Sequence, residues 1–306
     1  MSEILEFIDF LNSAGVDVRC NIMASVITSF KTGGNIDLIA YPDSVDKMIT
    51  CVKEAKTRGF RFLVVGRGTN ILISDSGYRG LIIKTDKLNN LTVEADRSCG
   101  RILAECGASL TALSIKALKH SLTGLEFAYG IPGSVGGAVF MNAGAYGGEM
   151  ADIIDYIECY SVSKDEIVRL EKDEIEFSYR YSKLMNKPDL VCINTAMTLE
   201  VGHYDSINSV MVANKTARSE KQPLELPNAG SVFKRHPGYF IGQIVDEMGL
   251  KGYTIGGAQV SCKHAGFIVN VGGATTNDVL QLINYLSNKI RERHGFTPEC
   301  EIRIIG

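Results

Sequence analysis

The sequence contains a serine and two cations whose types and spacing could perform catalysis or bind an anion. Ser231 lies in Asn228-Ala229-Gly230-Ser231, between small residues, and Lys234 and Arg235 follow it. The five histidines offer Ser231 no evident base partner, so its hydroxyl is better suited to proton donation or ligand contact than to nucleophilic attack. A helix-capping serine is the alternative that the sequence leaves open.

Two further segments combine charged side chains with a defined local pattern. Arg180 stands among aromatic residues in Phe177-Ser178-Tyr179-Arg180-Tyr181-Ser182. A guanidinium there could clamp a carboxylate or a phosphate, and the alternative is a surface arginine stacked on tyrosine. Near the C-terminus, strand alternation places Glu301 and Arg303 on one face and Ile302 on the other. Taken alone, that pattern favours a solvent-facing ion pair.

Two glycine-rich segments could hold backbone against a ligand. In Val65-Gly66-Arg67-Gly68-Thr69-Asn70, two glycines permit a sharp turn with outward N–H groups, as in an anion-binding nest. An ordinary hairpin turn is the alternative, and the strand that follows excludes a Rossmann fingerprint. The segment from Gly124 to Gly148 has eight glycines among 25 residues, mixed with apolar residues. That composition favours backbone close to a large ligand, with a tightly packed structural loop as the alternative.

Periodicity predicts the elements that must position these segments. A first α/β unit has a helix and connector over 1–20, a helix that Ser44 caps and that ends near Gly59, and strands at 36–41, 61–65, 71–73 and 81–85. A second unit, dominated by antiparallel strands, has a helix over 109–120 beginning at Ser109 and strands at 91–95, 101–106, 153–161, 166–170 and 190–200. The last part has helices over 206–220 and 240–249, a strand at 266–271, a long helix that Thr276 caps and Gly295 ends, and a strand at 300–305.

Composition excludes several classes of protein. The 306 residues suggest about two domains, and a third smaller one is compatible with the length. A hydrophobic share of 45% excludes a mainly disordered chain, and a net charge of -3 lacks the basic excess of a nucleic-acid binder. No apolar run reaches the roughly 18 residues of a membrane helix, and the acidic N-terminus does not resemble a signal peptide. Eight cysteines without a C-x-x-C pair predict reduced thiols in a cytoplasmic protein and no metal site.

Together these motifs resemble one family closely, the UDP-N-acetylenolpyruvoylglucosamine reductases. The resemblance runs from Ser29-Phe30-Lys31-Thr32-Gly33-Gly34 to Glu301-Ile302-Arg303, and the stretches Gly130–Gly148 and Asn228–Phe233 are its most specific parts. It implies an α+β protein with a vanillyl-alcohol-oxidase (PCMH)-type FAD-binding fold of two subdomains plus a smaller α/β substrate domain. The implied boundaries are 1–90 and 91–205 for the FAD-binding subdomains, 206–296 for the substrate domain, and 297–306 for a C-terminal strand that returns to the active site.

The resemblance also implies the ligands. FAD would be noncovalent, because no histidine lies in either glycine-rich segment, and NADPH would be the reductant. The turn from Gly66 to Asn70 would take the FAD diphosphate, and the loop from Gly130 to Gly144 would pass along the flavin and its ribityl chain. The implied FAD contacts are Val65, Gly66, Arg67, Gly68, Thr69, Asn70, Ile71, Gly130, Ile131, Pro132, Gly133, Ser134, Gly136, Gly137, Ala138, Asn142, Gly144, Tyr179, Ile193 and Arg303.

The implied reaction reduces the enolpyruvyl group of UDP-N-acetylglucosamine enolpyruvate to UDP-N-acetylmuramate, a peptidoglycan precursor. Hydride would pass from the flavin N5 to C3, Ser231 would donate the proton to C2, and Arg180 and Glu301 would stabilise the intermediate. NADPH and this substrate would share one cleft. The implied substrate contacts are Lys221, Asn228, Lys234, Arg235 and His264.

This chain resembles the shorter variant of the family, because the segment from Ser182 to Lys221 lacks the loop whose tyrosine covers the substrate. Arg67 also replaces a residue that is often small, and His236-Pro237-Gly238-Tyr239 departs from the usual pattern. Two other functions stay open: a flavin-dependent sugar or lactone oxidase of the same fold, and a non-catalytic sugar-nucleotide-binding module. A monomer is the expected oligomeric state, with no nucleic-acid partner and no membrane insertion.

Overall fold

The structure is a computed structural model, and it describes residues 2–306. Helices α1 to α8 span Ser2–Ser13, Val45–Thr57, Leu110–Lys119, Val135–Met141, Met150–Ile153, Tyr204–Lys221, Ile241–Glu247 and Thr276–His294. Strands β1 to β9 span Asp17–Met23, Asn35–Tyr41, Phe62–Val65, Ile71–Ile73, Tyr78–Lys84, Leu91–Ala95, Cys99–Glu105, Gly144–Ala145 and Gly148–Glu149. Strands β10 to β17 span Ile154–Ser161, Glu166–Glu171, Leu190–Glu200, Asn228–Ser231, Thr254–Ile255, Ala258–Val260, Phe267–Asn270 and Arg303–Ile305.

The chain divides into two compact units. Unit 1 comprises Met1–Arg19, Leu38–Arg67 and Gly80–Ala217. Unit 2 comprises Cys20–Asp37, Gly68–Arg79 and Arg218–Gly306. The finer division into two FAD-binding subdomains, a substrate domain and a C-terminal strand stays a prediction.

A five-stranded antiparallel sheet is the largest in unit 1, with the order β11-β10-β12-β7-β6. All five strands were predicted from alternation, and the predicted caps of two helices are confirmed. The Ser44 hydroxyl accepts the Lys47 N–H at 3.3 Å, and the Ser109 hydroxyl accepts the Ala112 N–H at 3.3 Å. Burial of one face of α3 against this sheet produces the main core of the unit, which includes Ile102, Leu110, Leu113, Val135, Ile157 and Met197.

A second core in unit 1 joins α1 and α2 to parallel strands. β3 and β5 pair in parallel, and the core beneath them includes Phe7, Leu11, Met48, Val52, Leu81 and Ile83. Residues 17–20 were predicted as part of a connector but belong to β1, Asp17–Met23, whose side chains are mostly exposed. A strand without a buried face has no apolar alternation to reveal it.

The second glycine-rich segment contains a helix that its sequence concealed. α4 begins after Ser134, whose hydroxyl accepts the Gly137 N–H at 3.4 Å, and it buries Val135, Ala138 and Val139. Two glycines within α4 lower its intrinsic helix propensity by about 1 kcal/mol each. Tertiary packing therefore forms this helix in a stretch that the sequence predicts as a loop.

Unit 2 contains a four-stranded antiparallel sheet, of order β13-β16-β15-β14, and a parallel pair of β4 with β17. Only β16 of the four-stranded sheet was predicted: all four of its residues are buried, whereas the other strands are equally short or shorter and have at most two buried residues each. The predicted strand over 300–305 is wrong in its first half, since only Arg303–Ile305 pairs as a strand. No helix within residues 2–306 is both long and apolar enough to span a membrane.

The long helix of unit 2 begins differently from the prediction. Thr275, not Thr276, caps α8: its hydroxyl accepts the Asp278 N–H at 3.0 Å, while the Asp278 carboxylate accepts the Thr275 N–H at 2.9 Å. This reciprocal pair is a capping box. The Thr276 hydroxyl is buried and donates to the Ile73 carbonyl at 2.6 Å. Gly295 ends the helix with φ 77°, as predicted.

Candidate active site

The two glycine-rich segments meet within unit 1, at Gly66 and Ser134. A Cβ on Gly66 would lie 2.0 Å from the Ser134 Oγ, so a side chain cannot fit there without displacing Ser134. Ser134 is only 2% exposed and caps α4. The absence of a side chain at Gly66 therefore lets the turn after β3 lie against the N-terminus of α4.

Part of the second glycine-rich segment is packed against protein. A Cβ on Gly136 would lie 2.8 Å from the Cys106 Cβ, and one on Gly144 would lie 2.6 Å from the Gly148 carbonyl oxygen. The Gly136 N–H also donates to the Cys106 carbonyl at 2.7 Å. At Gly136 and Gly144, close packing against other protein atoms therefore explains why the residue is glycine. At Gly133 a Cβ would make only ordinary contact, 3.5 Å from Leu110.

Several candidate FAD contacts are enclosed by the fold. Val65, Ser134, Ala138 and Ile193 are each 5% exposed or less. Asn142 is fully buried, and its φ of 42° is left-handed. Its amide donates to the Ser178 carbonyl at 3.0 Å, and its carbonyl accepts the Ala151 N–H at 2.9 Å. The Asn142 side chain thus joins the end of α4 to the segment that carries Arg180.

Arg180 occupies a tight turn with a left-handed backbone, φ 53°. Ser178 and Tyr181 close the turn with reciprocal backbone hydrogen bonds of 3.1 and 3.0 Å. The guanidinium donates to the Gly144 carbonyl at 2.8 Å and to the Asn142 carbonyl at 3.4 Å, and it lies 5.1 Å from the Tyr179 ring centroid. Arg180 does stack on tyrosine, but its donors also fix it to the second glycine-rich segment.

Ser231 and Glu301 become neighbours in unit 2 through main-chain pairing. The Glu301 N–H donates to the Val232 carbonyl at 2.8 Å, and the Lys234 N–H donates to the Glu299 carbonyl at 2.9 Å. Ser231 is exposed and lies opposite Phe267 in the β13–β16 pair. The backbone segments that carry Ser231 and Glu301 are therefore adjacent although 70 residues separate these two residues in the sequence.

Asn70, at the end of the first glycine-rich turn, is hydrogen-bonded to the C-terminal segment that contains Glu301. The Asn70 amide donates to the Glu301 carbonyl at 3.1 Å, and the Arg303 N–H donates to the Asn70 carbonyl at 3.0 Å. Ser29, absent from the sequence-based candidates, donates from its hydroxyl to the Asn228 carbonyl at 2.6 Å and from its N–H to the Gly68 carbonyl at 3.0 Å. Its place in a motif of the resemblance was the only signal that could have identified it.

The candidate substrate contacts differ in how closely other groups of the protein hold their side chains. Lys221 is exposed at the end of α6, and the Arg235 guanidinium lies 5.6 Å from the Phe240 ring centroid. The Lys234 ammonium pairs with the Glu299 carboxylate at 2.6 Å. The Asn228 amide donates to the Leu226 carbonyl at 2.8 Å, and its carbonyl accepts the Gly230 N–H at 2.9 Å. Asn228 therefore shapes the loop before Ser231.

His264 is also held by the backbone. Its Nδ1 accepts the Gly266 N–H at 3.0 Å, while the Gly266 carbonyl accepts the Val232 N–H at 3.0 Å. Burial lowers the pKa of His264 below its usual value. The accepting Nδ1 and the lowered pKa both favour the neutral imidazole, which supports the strand beside Ser231.

The residues of the first turn fit an FAD diphosphate. Within residues 2–306, the backbone N–H groups of residues 67–70 donate no hydrogen bond, so they remain available to an anion. Gly68 has φ 66°, and a Cβ there would lie 2.1 Å from the Ile27 carbonyl oxygen. Successive outward N–H groups on such a turn form an anion-binding concavity. In residues 2–306 no group of three or more His, Cys, Asp or Glu side chains could hold a metal ion.

Two protein-family models match this chain. One, described as an FAD binding domain, matches residues 36–171 and includes both glycine-rich segments. The other, described as the C-terminal domain of UDP-N-acetylenolpyruvoylglucosamine reductase, matches residues 222–305 and includes Ser231 and Glu301. The predictions of FAD and of an α+β fold with an FAD-binding domain are confirmed, and the class of protein is an FAD-dependent oxidoreductase.

Relatives cover nearly the full length. The UDP-N-acetylenolpyruvoylglucosamine reductase of Caldanaerobacter subterraneus subsp. tengcongensis is 46% identical over 279 residues, covering 91% of this chain and 90% of that protein. The enzyme of that name from Clostridium botulinum (strain Alaska E43 / Type E3) is 43% identical over 289 residues, covering 94% and 93%. The chain therefore belongs to the UDP-N-acetylenolpyruvoylglucosamine reductase family.

A solved structure supports the same conclusion about the fold. The crystal structure of UDP-N-acetylenolpyruvylglucosamine reductase (MurB) from Thermus caldophilus superimposes with a TM-score of 0.80 at 28% identity. The alignment covers 95% of this chain and 99% of that one. The architecture of this family thus extends over almost all of the chain.

Proposed function

We propose that this protein uses NADPH to reduce the enolpyruvyl group of UDP-N-acetylglucosamine enolpyruvate, forming UDP-N-acetylmuramate for peptidoglycan synthesis. Family membership supports the reaction. The observation that carries the proposal is the backbone pairing that brings Ser231 and Glu301 together inside the segment matched by the reductase model. A sugar or lactone oxidase would not require this serine and carboxyl.

When bound, FAD would supply the redox chemistry, a hydride equivalent from NADPH for C3 of the enolpyruvyl group. Negative charge then develops at C2 and spreads into the substrate carboxylate. In the proposal Arg180 and a protonated Glu301 stabilise this charge, because preorganised groups act most strongly where charge develops. Ser231 donates its hydroxyl proton to C2, which is basic enough to accept a proton from so weak an acid.

The cationic side chains named above would bind the anionic parts of substrate and reductant. Lys221 and Arg235 are exposed, whereas Lys234 must exchange or share its Glu299 partner to contact a phosphate. Asn228 and His264 would act mainly by shaping the backbone around Ser231. NADPH and the sugar nucleotide would bind in turn at one shared cleft, which accounts for a nicotinamide-dependent enzyme without a Rossmann motif.

We also propose a cytoplasmic, monomeric enzyme. All eight cysteines are free thiols, as is usual in a reducing compartment. Burial raises the pKa of the Cys51 thiol to about 12, which makes it unreactive. Sedimentation of the purified protein would test the oligomeric state.

An anaerobic titration tests the reaction. The absorbance of the oxidised flavin is recorded, NADPH is added until it bleaches, and UDP-N-acetylglucosamine enolpyruvate is then added. Return of the oxidised spectrum is the expected result. Bleaching without return would reject the substrate and retain the flavoenzyme, and rapid reoxidation by oxygen alone would favour an oxidase. Failure to bind added FAD would reject the enzyme in favour of a non-catalytic module.

A further inference from the structure

A lysine is buried directly behind the first glycine-rich turn. Lys84, at the end of β5, is only 3% exposed. Its ammonium donates to the Gly66 carbonyl and lies 3.4 Å from the Asp86 carboxylate, which is itself 46% exposed. Burial lowers the pKa of Lys84, and lysine is almost never fully buried unless it is paired or has a role.

The geometry of the peptide bond connects this lysine with the ligand side of the turn. Within the described chain all peptide bonds are trans, so the Gly66 carbonyl and the Arg67 N–H point in opposite directions. Because the carbonyl faces the buried ammonium, the N–H faces away from it, on the side where the Arg67 side chain is exposed. The orientation of this one peptide thus depends on Lys84.

Other contacts fix the end of β3 and the position of Gly66, but they do not set the orientation of the Gly66–Arg67 peptide. The preceding carbonyl, of Val65, accepts the Thr85 N–H at 3.1 Å, which fixes the end of β3. Gly66 is wedged against Ser134, which sets the position of its Cα but not the direction of its carbonyl. Glycine tolerates either peptide orientation, so without a partner for its carbonyl this peptide could rotate.

We propose that Lys84 is a positioning residue for the FAD diphosphate: it holds the Gly66–Arg67 peptide with its N–H outward and places a positive charge behind the anion-binding turn. The proposal rests on FAD binding by the family, and it is independent of the substrate and of the catalytic roles proposed above. Lys84 was not among the sequence-based candidates, because a lysine at the end of an apolar strand is normally expected to turn outward.

Titration of the apoprotein with FAD tests the proposal through quenching of flavin fluorescence. Lys84→Met removes the charge and the donor but keeps similar volume, and we expect the Kd for FAD to rise at least 10-fold. Lys84→Arg retains both properties and should recover most of the affinity. Lys87→Met is the matched control, because Lys87 is a nearby lysine, 48% exposed, 3.8 Å from Asp17, and its loss changes the net charge equally.

Thermal unfolding of the apoprotein separates this role from a purely structural one. Lys84→Met leaves the Gly66 carbonyl without its donor, so the melting temperature should fall moderately, but the apoprotein should stay folded at the temperature of the FAD titration. An unchanged Kd in Lys84→Met, or an equal rise in Lys87→Met, would overturn the proposal. A rise in Kd that the unfolded fraction of the apoprotein fully accounts for would also overturn it.

A second variant applies if Lys84→Met does not fold. Asp86→Asn changes a half-exposed side chain and removes the negative charge that partly neutralises Lys84. The proposal expects FAD to bind two- to three-fold more tightly in this variant, with a steeper loss of affinity as salt is added. Unchanged or weaker binding, with no change in the salt dependence, would contradict a charge acting on the diphosphate.

Discussion

The two units hold their candidate catalytic residues by different means. In unit 1, side chains fix the segment of Arg180: the Asn142 amide donates to the Ser178 carbonyl, and the Arg180 guanidinium donates to the Gly144 carbonyl. In unit 2, Ser231 and Glu301 depend on main-chain hydrogen bonds between neighbouring segments. A main-chain ladder does not require particular side chains, whereas the arrangement in unit 1 does.

Because of this difference, substitutions in the two units should affect the reaction and the backbone conformation to different extents. Changing a side chain on the unit 2 segments should alter the reaction while leaving the backbone in place. Changing one in unit 1 should move the backbone, the cofactor contacts and the stability together. Each of the following experiments tests one side of this contrast, in order of expected effect.

The largest effect is expected from Ser231→Ala. Loss of a general acid typically costs 10²–10⁴-fold, so reoxidation of the reduced flavin by the enolpyruvyl substrate should slow by about 10³-fold. Reduction by NADPH and the melting temperature should stay unchanged, because Ser231 is exposed and its strand is held by the backbone. Stopped-flow absorbance measures both half-reactions. Unchanged reoxidation would remove Ser231 from its role, and a large fall in melting temperature would break the contrast.

A smaller effect, on stability and FAD affinity together, is expected from Gly66→Ala. The added Cβ would lie 2.0 Å from the Ser134 Oγ, and overpacking of this kind costs about 1–3 kcal/mol. Gly137→Ala is the control, because its Cβ would lie 3.2 Å from the same atom within a helix that alanine favours. Denaturant unfolding and FAD titration should both distinguish the two variants. Similar behaviour of the two would show that the close approach is not required.

The strained backbone at Arg180 predicts a difference of about 1 kcal/mol between two variants, since a left-handed conformation costs non-glycine residues roughly that much. Arg180→Gly and Arg180→Ala lose the same guanidinium, and both should be poorly active. The glycine variant should nevertheless be the more stable of the two, because φ is 53° at this position. Urea unfolding of the pair measures the difference. Equal stabilities would indicate that the turn relaxes once the arginine is removed.

The smallest effect is a pH dependence from His264, a titratable side chain that supports the backbone beside Ser231. Burial lowers its pKa, with Lys251 lowering it further and Asp246 raising it. The folded state therefore disfavours the imidazolium, and the contribution to stability is complete above pH 6.5 and is lost as the pH falls further. Because the ring is partly exposed, this contribution should be below about 1 kcal/mol.

His264→Asn offers the comparison, since its side-chain carbonyl can accept the Gly266 N–H without titrating near neutral pH. The free energy of unfolding of the unchanged protein should fall more steeply than that of the variant between pH 6.5 and about 5. Parallel pH curves would show that this histidine does not titrate with folding.

Elements with a buried face were predictable from the sequence. β7, β10, β11 and β12 and the helices α2 and α3 have apolar periodicity or a capping serine, and all were identified within a few residues. β1 is mostly exposed, and β13, β14 and β15 are only two to four residues long. An apolar periodicity therefore does not distinguish any of these strands in the sequence. α4 was not predicted because its two glycines lower its helix propensity. One of them, Gly136, is packed closely against Cys106.

The chemistry of the site was also present in the sequence, as a set of residue types in recognisable motifs. Residue types and local spacing identified the glycine-rich segments and, through the family resemblance, FAD and the candidate catalytic residues Arg180, Ser231 and Glu301. These features are local, because a motif is set by neighbouring residues along the chain.

Only the tertiary structure decided how those residues are held. It paired the residues that follow Ser231 with the segment of Glu301, enclosed the Asn142 amide, and placed the ammonium of Lys84 behind the Gly66 carbonyl. Such contacts join residues far apart in sequence, and their strength depends on burial and exact distance. A pattern along the chain records which side chains are available, but the packing of the folded chain determines which of them meet.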